Sequence, residues 1–143
     1  MMEFDRCIKE GLLRRIPPSK IQSEEQMEKS EVLLEEAKKS LQNDSPNSAL
    51  MLAYAALLCA GRAVLFRDGY REKNHACVVG YLEAKYSKEI GSSFICLFDE
   101  YREKRHKTMY SGDYYPTMEE AKRTVSFAGE FIAKIKNILK NEK

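Results

Sequence analysis

The sequence predicts an all-α fold, an antiparallel up-and-down bundle of four or five helices joined by short loops. Three observations carry that reading. Apolar residues recur at three- and four-residue intervals over long segments, and proline, glycine and capping residues punctuate those segments. No stretch shows the sustained alternation and hairpin turn chemistry of strands.

Residues 3–14 place Phe4, Cys7, Ile8 and Leu12 at helical spacing and predict a short amphipathic helix. Pro17-Pro18 stops it, because proline lacks an amide hydrogen and restricts the residue before it. The chain therefore divides into an N-terminal arm or short helix, residues 1–18, and a helical bundle domain, residues 19–143. Ser19 or Ser23 can cap a long helix to about Gln42, with Met27, Ser30, Leu34, Ala37 and Leu41 forming one buried stripe. Its other face is Glu and Lys, and Glu31, Glu35 and Lys39 are spaced for i,i+4 pairing.

Asn43-Asp-Ser-Pro46 is a stop-start signal: Ser45 or Asp44 suits the cap and Pro46 the first turn of the next helix. From Asn47 to Phe66 the chain is apolar almost all round, which places this helix at the centre with neighbours on most sides. Arg62 and Arg67 are its only cations, and Arg67 is expected to reach solvent at the C-terminal end. Gly69 suits a left-handed C-cap, and Tyr70 to Asn74 reads as a polar connector. Asn74 can cap a helix through about Tyr86, and Ser92-Ser93 can start another that ends near Ser111-Gly112. Thr117-Met-Glu-Glu120 is a capping box, and the last helix runs to about Lys140 with Val125, Ala128, Phe131, Ile132, Ile135, Ile138 and Leu139 inward.

Composition narrows the function. Lys and Arg number 24 against 22 Asp and Glu, a net charge of +2, so a general nucleic-acid coat is excluded and any such contact must come from a local patch. There is no uninterrupted apolar run of membrane-spanning length and no secretory signal, so a cytoplasmic protein with no membrane partner is expected. The four cysteines, Cys7, Cys59, Cys77 and Cys96, are widely spaced in apolar segments and read as buried free thiols. Two distant histidines and no clustered carboxylates give no metal site, and no glycine-rich nucleotide loop or other cofactor motif occurs.

The candidate site is the run Tyr101 to Tyr110 and the turn after it. Arg102 and His106 are i,i+4 neighbours, Arg102 and Arg105 are i,i+3, and Lys107 and Lys104 add charge. Arginine forks suit phosphate oxygens, and a histidine can move a proton near neutral pH. Tyr110 extends the His106 stripe, Asp113 can orient an arginine or accept from a nucleotide hydroxyl, and Tyr114 follows. The same run also suits an exposed helix end, with cations at the negative pole of the dipole. His75, at a predicted helix start, is expected to cap or pack, and Tyr54, Tyr81 and Tyr86 to be core aromatics.

The stretch from Ala53 to His75 resembles the central segment of HEPN-domain proteins, where an alanine- and aromatic-rich helix runs into a glycine turn and a Lys-x-His element. Arg105, Tyr110, Asp113-Tyr114 and Thr117 to Ala121 are similar to the later Arg, Asp-Tyr, Thr, Ala part of small stand-alone HEPN proteins of archaea and bacteria. The likeness spans about residues 20–140. It implies a helical bundle paired as a homodimer, and a minimal nucleotidyltransferase as partner in a toxin–antitoxin-like pair. It further implies a nucleotide- or RNA-binding module in which Arg102, Arg105, His106, Lys107, Tyr110, Asp113 and Tyr114 make the site, with Tyr110 as an acceptor of modification. The alternative it implies is a metal-independent RNA endonuclease using Arg102 or Arg105 with His106. In family nucleases four to six residues separate Arg from His, whereas only three separate Arg102 from His106 here. The expectation therefore leans to binding without catalysis.

Overall fold

A computed structural model describes residues 1–141; the end of the Lys-rich tail, residues 142–143, lies outside the described residues. The fold is an all-α bundle, with elements α1 (Phe4–Lys9), β1 (Leu13–Arg15), α2 (Lys20–Gln42), α3 (Pro46–Asp68), β2 (Tyr70–Glu72), α4 (His75–Ile90), α5 (Ser92–Tyr110) and α6 (Met118–Lys140).

α3 is the axis of the bundle. Leu50, Ala53, Leu57, Ala60 and Val64 are fully buried along it, and α2, α4, α5 and α6 all pack against it. It is long and apolar enough to pass for a membrane span by composition, but most of it is enclosed by its neighbours, as a core helix is. Small residues let those neighbours approach: a Cβ on Gly61 would lie 2.8 Å from Val78 Cγ1 of α4. α6 presents Val125, Ala128, Phe131, Ile132 and Ile135 to this core. Phe131 meets Phe98 of α5 with ring centroids 5.1 Å apart.

The helix ends follow local chemistry. The Ser19 hydroxyl accepts from the Gln22 amide at 3.1 Å, and Pro46 opens α3. Gly69 takes a left-handed φ of 89°, open to glycine without strain. Asn74 accepts from the Ala76 amide, and Thr117 and Glu120 complete their reciprocal box. α4 breaks helical geometry at Tyr86 (φ −135°) and then continues to Ile90.

Four expectations need correction. The short N-terminal helix ends at Lys9, and Leu13–Arg15 pairs antiparallel with Tyr70–Glu72, so the polar connector is a strand. Pairing of three residues across more than fifty in sequence leaves no local pattern to read. Cys7 and Cys77 form a disulfide that ties α1 to α4; only Cys59 and Cys96 are free thiols, and Cys96 is exposed on α5 rather than buried. Arg67 turns inward, donating to Asp68, to the Tyr86 hydroxyl and to the Ile138 carbonyl. Finally, Glu31 pairs with Lys136 of α6, and Glu35 pairs with Lys38, in place of the Glu31, Glu35, Lys39 series.

Candidate functional site: a cation cluster over Tyr54 and His75

α5 carries one stripe that changes character along its length. Ile95 and Phe98 are fully buried, and seven residues after each come Arg102 and Arg105. Seven residues are nearly two turns, so the stripe that anchors α5 in the core also directs both arginines toward α3. The Arg105 guanidinium stands 5.9 Å from the centre of the Tyr54 ring. Arg102 donates to Asp99 at 2.9 Å, which fixes its stem one turn back on the same helix.

His75 completes the cluster from a third direction. It is the first residue of α4, with Asn74 as cap, and its Nδ1 lies 3.3 Å from the Tyr54 hydroxyl. Arg62, two turns along α3 from Tyr54, donates to Glu72 at 2.7 Å. Glu72 is buried and sits opposite Leu13 in the β1–β2 pair, so the small sheet holds this acid beside the cluster.

The electrostatics follow from the arrangement. Burial, and then the Arg62 guanidinium, lower the His75 pKa; Arg105 and Arg102 act in the same direction and Glu72 against them. Burial raises the Tyr54 pKa, with Arg102, Arg105 and Arg62 opposing, and the phenol stays protonated. Burial works against the Asp99 carboxylate, but the terminal amine and Arg102 outweigh it and hold its pKa below the ordinary range. The cluster therefore presents arginine forks beside an imidazole whose charged form is disfavoured and a neutral phenol, a set suited to phosphate oxygens.

The other residues expected at the site divide. His106 is exposed and lies against Tyr110 with ring centroids 4.7 Å apart, one turn beyond the Tyr54 and His75 contacts. Tyr110 is 66% exposed. Lys107 and Asp113 point into solvent. The Tyr114 hydroxyl donates to Glu120 at 2.9 Å, and Lys104 pairs with the same carboxylate, so both pin the turn to the start of α6. Sequence reasoning placed His106 with the arginines and left His75 and Tyr54 to packing. The spacing Ile95, Phe98, Arg102, Arg105 was the available signal, since it puts the arginines on the buried face.

A groove of about 430 Å³ adjoins the cluster, lined by Asn47, Ser48, Met51, Leu52, Thr108 and Met109. Met51 precedes Tyr54 by about one turn and Met109 follows Arg105 by about one turn, so the groove lies next along both helices from the cluster. A larger cavity of about 730 Å³, between α2 and the ends of α3 and α6, sets Glu24, Glu28, Glu31 and Asp68 against Lys20 and Arg67, a net acidic lining that is the wrong charge for phosphate. Among the described residues, no three His, Cys, Asp or Glu side chains gather closely enough to hold a metal.

No curated protein matches the chain. A family model describing the HEPN domain matches residues 23–138, from the first turn of α2 to the last turn of α6. That span takes in every helix contributing to the cluster, and the chain belongs to the HEPN family.

Proposed function

We propose that this HEPN protein is a nucleotide- or RNA-binding module whose phosphate seat is the cluster of Arg102, Arg105, Tyr54 and His75. The observation that carries the proposal is the convergence of two arginines from α5 on a Tyr–His pair from α3 and α4. The adjoining groove, lined by Met51, Leu52 and Met109, offers apolar surface within reach of the base of a bound nucleotide. Its size is in the lower range of small-molecule sites. In this reading the protein works as a homodimer beside a minimal nucleotidyltransferase in a toxin–antitoxin-like pair, acting in the cytoplasm, and exposed Tyr110 is the acceptor that the partner modifies.

The test combines co-expression with a small nucleotidyltransferase, light scattering to give the oligomeric state, and fluorescence titration with nucleotides and short RNA. The proposal predicts a dimer that retains the transferase and binds phosphate-bearing ligands in a salt-dependent manner. A monomer that binds neither nucleotide nor RNA and retains no transferase overturns it.

One observation favours a second reading. His75, beside the arginines, is a better-placed acid or base for RNA cleavage than His106. RNA cleavage in a chelator, abolished in His75→Ala and kept in His106→Ala, would move the protein to the metal-independent ribonucleases. No cleavage by the folded wild type removes this reading and leaves the binding module.

A further inference from the structure

Residues 1–15 reach the cluster at four points. The Met1 ammonium stands 2.8 Å from Asp99 Oδ2, while Arg102 holds the other oxygen of the same carboxylate at 2.9 Å. The Met2 thioether accepts from the side-chain amide of Asn74 at 3.9 Å, and Asn74 caps the helix that begins with His75. Cys7 is bonded to Cys77, two residues beyond His75. Leu13 pairs across the small sheet with Glu72, the acid that holds Arg62. Each contact lands on a residue that sets one side of the cluster, or within two residues of one. The family match begins at residue 23, so this strap lies outside it.

Two of these contacts act on anion binding with the same sign. The ammonium neutralises Asp99 from one side, so that carboxylate does not rest on Arg102 alone. With the strap away, the full charge of Asp99 offsets the Arg102 guanidinium and lowers the positive potential at the seat. The bridge and the Met2 contact fix the first turn of α4, so His75 meets Tyr54 in one geometry. A loosened turn must be ordered when the anion binds, which lowers affinity further.

One covalent bond keeps the strap in place. α1 has six residues and packs chiefly on α4 and β1. A helix that short is marginal on its own, so without the bridge it opens locally while the bundle stays closed.

We propose that residues 1–15 are a redox-locked strap: the Cys7–Cys77 bridge holds the anion seat in its binding geometry, and reduction by a dithiol frees α1 and weakens phosphate binding. The inference rests on the reading of the cluster as a phosphate seat. Both cysteines are fully buried, so attack follows local opening of α1. One thiolate of the dithiol attacks a sulfur of the bridge, forming a mixed disulfide and releasing the other cysteine as thiolate. The second thiolate of the reductant displaces the remaining cysteine and closes the reductant's own disulfide. Two electrons pass from the dithiol to the bridge, and its two protons end on the two cysteine thiols.

Titration of the full chain with adenosine 5′-monophosphate at low salt tests it, on the oxidised protein, on the protein reduced with dithiothreitol, and on a Cys7→Ser, Cys77→Ser double variant. Circular dichroism checks that the helices persist. The reduced protein and the double variant should bind roughly fivefold more weakly than the oxidised protein, the effect of one unit charge at about 10 Å in an intermediate dielectric. Reoxidation should restore the affinity, and the double variant should not respond to dithiothreitol. Amide exchange at residues 74–78 should quicken on reduction while the middle of α6 stays protected. If the reduced chain loses its helix content, Gly80→Ala decides instead, because its Cβ displaces Met2 with the bridge closed. That variant should also bind more weakly, and unchanged affinity in it overturns the inference. Equal affinity in the folded oxidised and reduced proteins overturns the inference and leaves the phosphate seat standing. No binding by the oxidised protein overturns both.

Discussion

Glu72→Gln and Arg62→Gln remove opposite halves of one ion pair, and the structure predicts that they differ in stability and act oppositely on binding. The pair is short, 2.7 Å, but unevenly buried: 4% of the Glu72 side chain is accessible against 32% of Arg62. Removing one partner of a buried pair costs ~3–5 kcal/mol, because the other charge is left without compensation in a poorly polarisable interior. Arg62→Gln strands the buried member and should lie near the lower end of that range, ~3 kcal/mol. Glu72→Gln strands a guanidinium that can turn to water, so solvent screening reduces the loss to about 1 kcal/mol. On anion binding the signs part. Glu72→Gln removes a negative charge from the rim of the cluster, and at roughly 10 Å in an intermediate dielectric that is about 1 kcal/mol, or roughly fivefold tighter binding. Arg62→Gln removes a cation and should weaken binding by a similar factor. Urea unfolding gives the stabilities, with unchanged slopes as the check that both variants unfold by the same process. Titration with a nucleoside monophosphate gives the affinities. Equal stability losses, or weaker binding by Glu72→Gln, would refute the reasoning.

Three further outcomes are expected. The Cys7–Cys77 bridge spans 70 residues of sequence, so reduction or Cys77→Ser should cost about 4 kcal/mol by the chain-entropy relation. Thiol titration of the denatured protein should count two free cysteines before reduction and four after, and four before would count against the bridge. Burial, then hydrogen bonding to Asp68, pushes Tyr86 up to about 12 and raises Tyr81 as well. Stability from these neutral phenols is complete below pH ~10 and lost as pH rises toward ~12, so ultraviolet titration should show part of the tyrosine signal ionising only as the fold opens. One transition for all eight tyrosines near pH 10 would contradict that. In Gly80→Ala the new Cβ would overlap the Met2 carbonyl, which should outweigh a helix-propensity gain of ~1 kcal/mol. Limited proteolysis should then cut the first sixteen residues faster than in the wild type; unchanged cutting with a gain in stability would show that the arm gives way freely.

What the sequence made legible was local. Ser19, Pro46, Gly69, Asn74 and the Thr117–Glu120 box each act on amides or carbonyls within four residues, so the residue type alone marks the helix end. The Tyr86 break and the run on to Ile90 follow from tertiary demands, since the Tyr86 hydroxyl is held by Asp68 and Arg67 of α3. β1–β2 and the disulfide join segments with no shared local pattern. The candidate site was half visible. Arg102 and Arg105 could be placed because one helix carries both. Their partner His75 could not, because it arrives from α4 by way of the turn after α3, and His106 lay nearer in sequence. The Tyr54 ring looked like core and is core, yet Arg105 stands over the ring and its hydroxyl meets His75.

The most direct test of the central claim is the affinity of the wild type, Arg105→Ala and His106→Ala for a nucleoside monophosphate at low salt. Losing a charged hydrogen-bonding fork from the seat should cost Arg105→Ala roughly tenfold or more, whereas His106→Ala should stay within about threefold of wild type. Equal affinity in wild type and Arg105→Ala, with the loss falling on His106→Ala, would contradict the account and return the site to the exposed end of α5.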